Sequence, residues 1–132
     1  MEEQDIVNEF LMESGENLGR LDQEMVELER RPRDVQLLAS VFRTFHTIKG
    51  TCGFLGYGKL ERVAHQAENL LSQLRSGSET LTSDMASLVL EAVDVMRRHL
   101  KAIEDTGAEA AEDSSDLCRR FQDTVRAGAA AP

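Results

Sequence analysis

The sequence predicts an all-α fold: an up-down antiparallel four-helix bundle with a fifth helix at its C-terminal end. Three observations carry this. Apolar residues recur in steps of three and four along four long segments. Proline is absent from position 33 to position 131, which suits long helices and disfavours a fold of many strands and turns. The breaks between segments are short, and short connections make neighbouring helices antiparallel. At 132 residues the chain is large enough to bury one core of its own.

The first helix is expected over residues 4–29, with a stripe of Val7, Leu11, Leu18, Leu21, Met25 and Leu28 and with Ser14 in the gap. Arg31-Pro32-Arg33-Asp34 ends it, and Asp34 suits the N-cap of the next helix. The second helix, residues 35–56, carries Leu38, Val41, Phe45, Ile48, Cys52 and Leu55. Gly56 and Gly58 mark a turn around Tyr57. The third helix, residues 59–75, carries Leu60, Val63, Ala67, Leu70 and Leu74 and stops at Ser76-Gly77-Ser78. Thr82-Ser83-Asp84 can cap a fourth, with Met85, Leu88, Ala92, Val95, Met96, Leu100 and Ile103. The bundle proper is thus assigned to residues 1–104. Residues 105–132 are assigned to a linker plus an accessory helix. Within them Thr106 to Asp116 reads as a flexible connection. A weaker helix with Leu117, Phe121 and Val125 follows, and Ala127–Pro132 reads as the start of a linker, as in a piece of a longer protein.

In an antiparallel pair of helices, facing residues keep a constant sum of sequence numbers. The second and third stripes do so through Leu55/Leu60, Cys52/Val63, Ile48/Ala67, Phe45/Leu70 and Val41/Leu74. The first and second do so through Leu28/Val35, Met25/Leu38, Leu21/Phe42, Leu18/Phe45 and Leu11/Cys52. This fixes the level of one helix against the next to about a turn.

Composition excludes some functions. The net charge is −9, from 15 basic and 24 acidic residues, and an acidic surface repels nucleic acid and anionic membrane. No apolar run approaches the roughly 18 residues of a membrane span. Met1-Glu2-Glu3-Gln4-Asp5 has neither the basic nor the apolar region of a secretion signal. A cytoplasmic, monomeric domain is expected, with Cys52 and Cys118 as reduced thiols that are structural or incidental.

One stretch breaks the pattern of a plain bundle: Phe45-His46-Thr47-Ile48-Lys49-Gly50-Thr51-Cys52-Gly53-Phe54-Leu55-Gly56. His46 follows the core residue Phe45, so it lies about 100° round the helix, at the core edge or outside it. Gly50 and Gly53 share its face, and each mid-helix glycine costs about 1 kcal/mol relative to alanine. They bare the surface around the imidazole and admit another protein's backbone. The position level with His46 on the first helix, 17, lies between Gly15 and Gly19. Those two glycines fit either access or close helix packing. On the third helix, His65 and Glu68 fall within a turn of the same level. His46, Lys49, His65 and Glu68 can therefore line one edge of a two-helix seam. A carboxylate accepting from Nδ1–H would leave the Nε2 lone pair free, and a nearby lysine would balance an arriving negative charge. Taken singly, Lys49 and Glu68 would be an ordinary surface ion pair. His99, beside Arg97-Arg98 and with no glycine near it, reads as a solvated surface histidine.

The string His46-Thr47-Ile48-Lys49-Gly50, with Gly53 and Gly56 after it, resembles the signature of histidine phosphotransfer (HPt) domains. Leu60, Val63, His65, Glu68, Asn69, Leu70 and Leu71 are similar to the second block of the N-terminal HPt domain of CheA-type chemotaxis histidine kinases. The acidic opening with Ile6, Phe10 and Glu13 is also similar, and the resemblance covers residues 4–104. It implies that His46 accepts a phosphoryl group through Nε2, that Glu68 orients and activates the ring, and that Lys49 stabilises the phosphorylated form. It further implies that His65 joins their hydrogen-bond network, while Gly50 and Gly53 keep the site open. The phosphate would come from ATP on a separate kinase domain and pass to an aspartate of a response-regulator receiver domain. The Mg²⁺ would belong to those partner domains, and this chain would hold no cofactor. The glycines of 50–58 lack the GK[ST] ending of a phosphate-cradling loop, so the chain reads as a substrate and relay.

A free-standing relay protein is the variant of this reading; the linker-like tail and the His65/Glu68 pair favour a kinase module. A metal-binding bundle using His46, His65 and Glu68 is the competitor from another class, but it lacks the repeated Glu-x-x-His units of di-metal bundles. A purely structural bundle leaves the cost of Gly50 and Gly53 unexplained.

Overall fold

The computed structural model describes residues 2–130. Five helices follow one another: α1 (Glu3–Arg30), α2 (Val35–Leu55), α3 (Gly58–Arg75), α4 (Ser83–Thr106) and α5 (Ser115–Ala130). The first four pack as an up-down bundle, in which α2 touches α1 and α3 while α4 touches α3 and α1. α5 lies against α3 and α4. The last two residues of the expected linker tail are outside the described residues; Ala127 to Ala130 are the end of α5.

The helix boundaries have local causes. Asp34 caps α2, its carboxylate accepting from the Leu37 N–H at 3.0 Å, and Thr82 caps α4, accepting from the Met85 N–H at 3.2 Å. Gly56 ends α2 at φ +83° and Gly107 ends α4 at φ +84°, left-handed positions that a Cβ would strain. The expected stripes point inward: Leu18, Leu21, Met25, Leu28, Val41, Phe45, Ile48, Leu60, Ala67 and Leu70 are all buried. Two polar bonds tie α1 to α2 at the expected level, Ser40 donating to Glu24 at 2.6 Å and Arg20 donating to Thr44 at 2.7 Å. Two residues of that level test sit elsewhere. Val35, in the first turn of α2, is exposed, and Phe42 is half-buried at the edge facing α3. Level along a helix says nothing about angle around it.

The segment after α4 differs from the flexible linker expected. The N-cap residue of α3, Tyr57, offers no side-chain cap. Glu109 supplies one from the α4–α5 connection, its carboxylate accepting from the Lys59 N–H at 3.3 Å and the Leu60 N–H at 2.7 Å. The Lys59 ammonium donates to the Ala110 carbonyl at 3.1 Å, and Arg98 makes a forked bond to Glu112. Leu117, Cys118 and Phe121 of α5 are buried, so these residues extend the core.

His99 is also not where a solvated histidine would be. It is fully buried, and its Nδ1 accepts from the Ala110 N–H at 3.1 Å. It belongs to the inward stripe of α4, one turn from both Met96 and Ile103, and the α4–α5 connection covers it. Burial holds its pKa below 6.5, with Glu109 and Glu112 opposing and Lys59 and Arg98 assisting. Burial likewise pushes the Cys52 thiol up to about 12 and raises that of Cys118, so both free cysteines are poor nucleophiles. No helix among the described residues is long and apolar enough to cross a membrane.

Two outcomes follow from the α4–α5 connection. Glu109→Ala should lower the unfolding free energy by about 1 kcal/mol, measured by urea denaturation, because two α3 donors lose their acceptor. The unfolded chain protonates His99 below its ordinary value of 6.5 while the folded chain resists it. Stability should therefore fall as pH drops through that value. In His99→Leu the urea midpoint should decline less steeply over the same range.

Candidate functional site

The site grows out of the α2–α3 seam. Because the two helices run antiparallel in the expected register, the outer edge of α2 brings His46 and Lys49 opposite Glu68 of α3. His46 Nδ1 lies 2.8 Å from Glu68 Oε2. The Lys49 ammonium donates to Glu68 Oε1 at 2.9 Å. Both carboxylate oxygens are therefore engaged by side chains of the neighbouring helix. The exposures are graded: the Glu68 side chain is 11% exposed, Lys49 25% and His46 61%. The carboxylate forms the floor and the imidazole stands out into solvent.

Electrostatics assigns the proton. Burial alone would raise the Glu68 pKa, but the hydrogen bonds from Lys49 and His46, with their charges, more than offset it and hold the carboxyl below its ordinary range. Glu68 is thus ionised near neutral pH and can only accept. The ring nitrogen facing it must carry the hydrogen, so Nδ1–H donates to Glu68. In the neutral ring Nε2 then keeps its lone pair, on the exposed side. This is a nucleophile of fixed tautomer with a cation one turn away.

The glycines divide into two kinds. A Cβ on Gly50 would meet nothing within 4 Å, so the surface one turn beyond His46 is open. A Cβ on Gly53 would run into the end of the Glu61 side chain, which would have to move. Gly15 and Gly19 on α1 also face open space. They leave the surface bare and serve no close helix packing.

His65 is not brought into this group. It is exposed on α3 and enters no hydrogen bond or ion pair with the described residues. The hydrogen-bond network expected to include His65 closes without it, because Lys49 and His46 already take both Glu68 oxygens. The metal reading loses support for the same reason: an ammonium occupies the carboxylate, and no group of three or more His, Cys, Asp or Glu side chains among the described residues is placed to hold a metal ion.

Two neighbours escaped the sequence reading. The Phe42 ring stacks on the His46 imidazole, with centroids 6.0 Å apart and planes 12° apart. The Arg75 guanidinium lies over the Phe42 ring, 4.0 Å from its centroid, a contact worth about 0.5–1 kcal/mol at an exposed site. Phe42 precedes His46 by four residues, a spacing that places two side chains on one helix face. That was the available signal.

The family model of the Hpt domain matches residues 5–106. The chain belongs to the Hpt domain family. A curated relative, the sensor histidine kinase CheAY of Helicobacter pylori, is 41% identical over 106 residues, covering 80% of this chain and 13% of that protein. The chain therefore spans about an eighth of the relative's length. Among solved structures, the CheA phosphotransferase domain from Thermotoga maritima has a TM-score of 0.75 at 30% identity, covering 79% of this chain and 99% of that one. The P1 domain of CheA3 from R. sphaeroides, solved phosphorylated and in complex with CheY6, shares the fold at a TM-score of 0.84 and 20% identity, covering 93% of this chain and 97% of that one. The Hpt domain described here is thus of the CheA type.

The geometry sets the tautomer of His46. In Glu68→Ala the ring loses its acceptor, and the imidazole nitrogen shifts in an NMR spectrum should move toward the Nε2–H form. A ring that stays Nδ1–H in this variant would show that Glu68 does not set it.

Proposed function

We propose that this domain is the phosphoryl-carrying module of a cytoplasmic chemotaxis-type histidine kinase. His46 takes the phosphoryl group of ATP held on a separate kinase domain and gives it to an aspartate of a response-regulator receiver domain. The observation that carries this reading is the His46–Glu68–Lys49 trio: an exposed imidazole whose Nδ1–H is tied to a carboxylate and whose Nε2 is free.

The transfer steps follow from these groups. The Nε2 lone pair forms a bond to the γ-phosphorus as the bond to the bridging oxygen breaks, and ADP leaves with that electron pair. The hydrogen on Nδ1 stays in place, and the positive charge that develops on the ring is met by the Glu68 carboxylate. Lys49 adds a cation near the phosphoryl oxygens. In the return step an aspartate oxygen of the receiver bonds to phosphorus, the N–P bond breaks, and Nε2 recovers its lone pair. Mg²⁺ belongs to the partner domains. Gly50 leaves room for each partner in turn, and the domain acts as a monomer. Supporting the receiver as recipient, a domain of the same fold has been solved phosphorylated and in complex with CheY6.

With the catalytic domain of a cognate CheA-type kinase and labelled ATP, the domain should acquire an acid-labile, base-stable phosphate, and His46→Gln should acquire none. Undiminished labelling of His46→Gln would falsify the assignment. Gly50→Ala separates access from stability. The added methyl has open space in the free domain, so the variant should be up to about 1 kcal/mol more stable. It should nevertheless be labelled more slowly, and an unchanged rate would remove the access role of Gly50.

A further inference from the structure

An imidazole that is 61% exposed needs more than one contact to hold its plane. The hydrogen bond to Glu68 fixes one ring atom, Nδ1, at 2.8 Å from an oxygen. It leaves the ring able to rock about its side-chain torsions within the angular tolerance of that bond. A contact on the ring face removes this freedom, and Phe42 provides it. The two rings are within 12° of parallel, and Phe42 is half-buried at the α2–α3 edge. On its other contact Phe42 is held by Arg75, whose guanidinium lies 4.0 Å from the ring centre. Arg75 makes no ion pair with the described carboxylates, although most arginines of this acidic chain do. Its cation is spent on the aromatic ring.

The flanks of His46 are also unequal. Four residues before it on the same face stands Phe42; four residues after it stands Gly50, where even a Cβ would meet nothing within 4 Å. The imidazole is walled on one side and open on the other. We infer that Phe42 is a positioning residue for phosphoryl transfer: it fixes the plane of the His46 ring so that Nε2 faces a donor approaching over Gly50, and Arg75 keeps Phe42 in place. This rests on the phosphotransfer reading of His46 and adds to the Glu68–Lys49 pair a group that touches no phosphate. Holding a nucleophile on the line of attack is an entropic contribution, and loosening it slows transfer without removing any reacting group.

The test compares Phe42→Leu, Phe42→Tyr and Arg75→Gln by two readouts. The first is the order of the His46 ring in the free domain, from NMR relaxation and from the ring-current shift that Phe42 impresses on the imidazole protons. The second is the initial rate of labelling by the kinase domain and ATP, per folded molecule. Phe42→Leu should lose the ring-current shift, mobilise the imidazole and slow labelling about tenfold. Phe42→Tyr, which keeps the aromatic face, should restore both. Arg75→Gln, an exposed change that spares the core, should loosen the ring and slow labelling to a smaller extent, and it stands in if Phe42→Leu does not fold. An imidazole that stays ordered in these variants, or one that becomes mobile while labelling keeps its rate, overturns the inference. Failure of the parent domain to be labelled at all would instead overturn the phosphotransfer reading, and the ring-order measurement would still decide whether Phe42 positions His46.

Discussion

A carboxylate held mostly out of water must have its oxygens satisfied, and Glu68 satisfies both with side chains from the facing helix. One oxygen takes the His46 ring N–H and the other the Lys49 ammonium. Everything that gives the surface its reactivity depends on this sharing. It fixes which imidazole nitrogen is protonated, keeps the carboxylate ionised against its burial, and holds a cation on the same carboxylate as the imidazole. It also depends on the whole bundle, because a slip of one turn between α2 and α3, about 5.4 Å, would part all three groups. The apolar contacts of Val41, Phe45, Ile48 and Cys52 with α3 are what hold that register.

The His46 imidazole stands out into solvent, 61% exposed. An active-site cleft would bring its own walls, electrophile contacts and water exclusion. Here the chain supplies only the activated nitrogen, its counter-charges and a bare approach. In the proposed transfer the remaining parts arrive with the partner, and a bare glycine surface is one that two different partners can use in turn. The low-cost, repeated features of the fold sit inside. Two of its costly features, the mid-helix Gly50 and the aromatic ring packed on an exposed histidine, sit on the surface around His46.

Much of this was legible in the residue order. Reciprocal stripes predict not only helices but their level, and the level alone brings His46 and Lys49 to Glu68. What periodicity does not carry is competition and covering. Glu68 has two oxygens for three candidate donors, and Lys49 reaches it where His65 does not. His99 looked solvated beside Arg97 and Arg98, yet a residue's neighbours in a helix lie three and four positions away, and those are Met96 and Ile103. The covering over it comes from the α4–α5 connection, a tertiary event that α4 does not announce. By level Phe42 faces Leu21 of α1, but its angle around α2 takes it to Arg75 and His46.

The cap that Glu109 places on α3 has a consequence for where this unit can be cut. The helix that carries Glu68 begins with donors that its own N-cap residue leaves unmatched, and a connection about fifty residues later completes it. Ending the polypeptide after α4 would keep His46, Lys49 and Glu68. It would nonetheless remove the acceptor at the start of α3, strip His99 of its cover and open the surface that Leu117, Cys118 and Phe121 close. The α4–α5 connection thus works at a distance from the His46–Glu68 seam, by completing the start of the helix that carries Glu68.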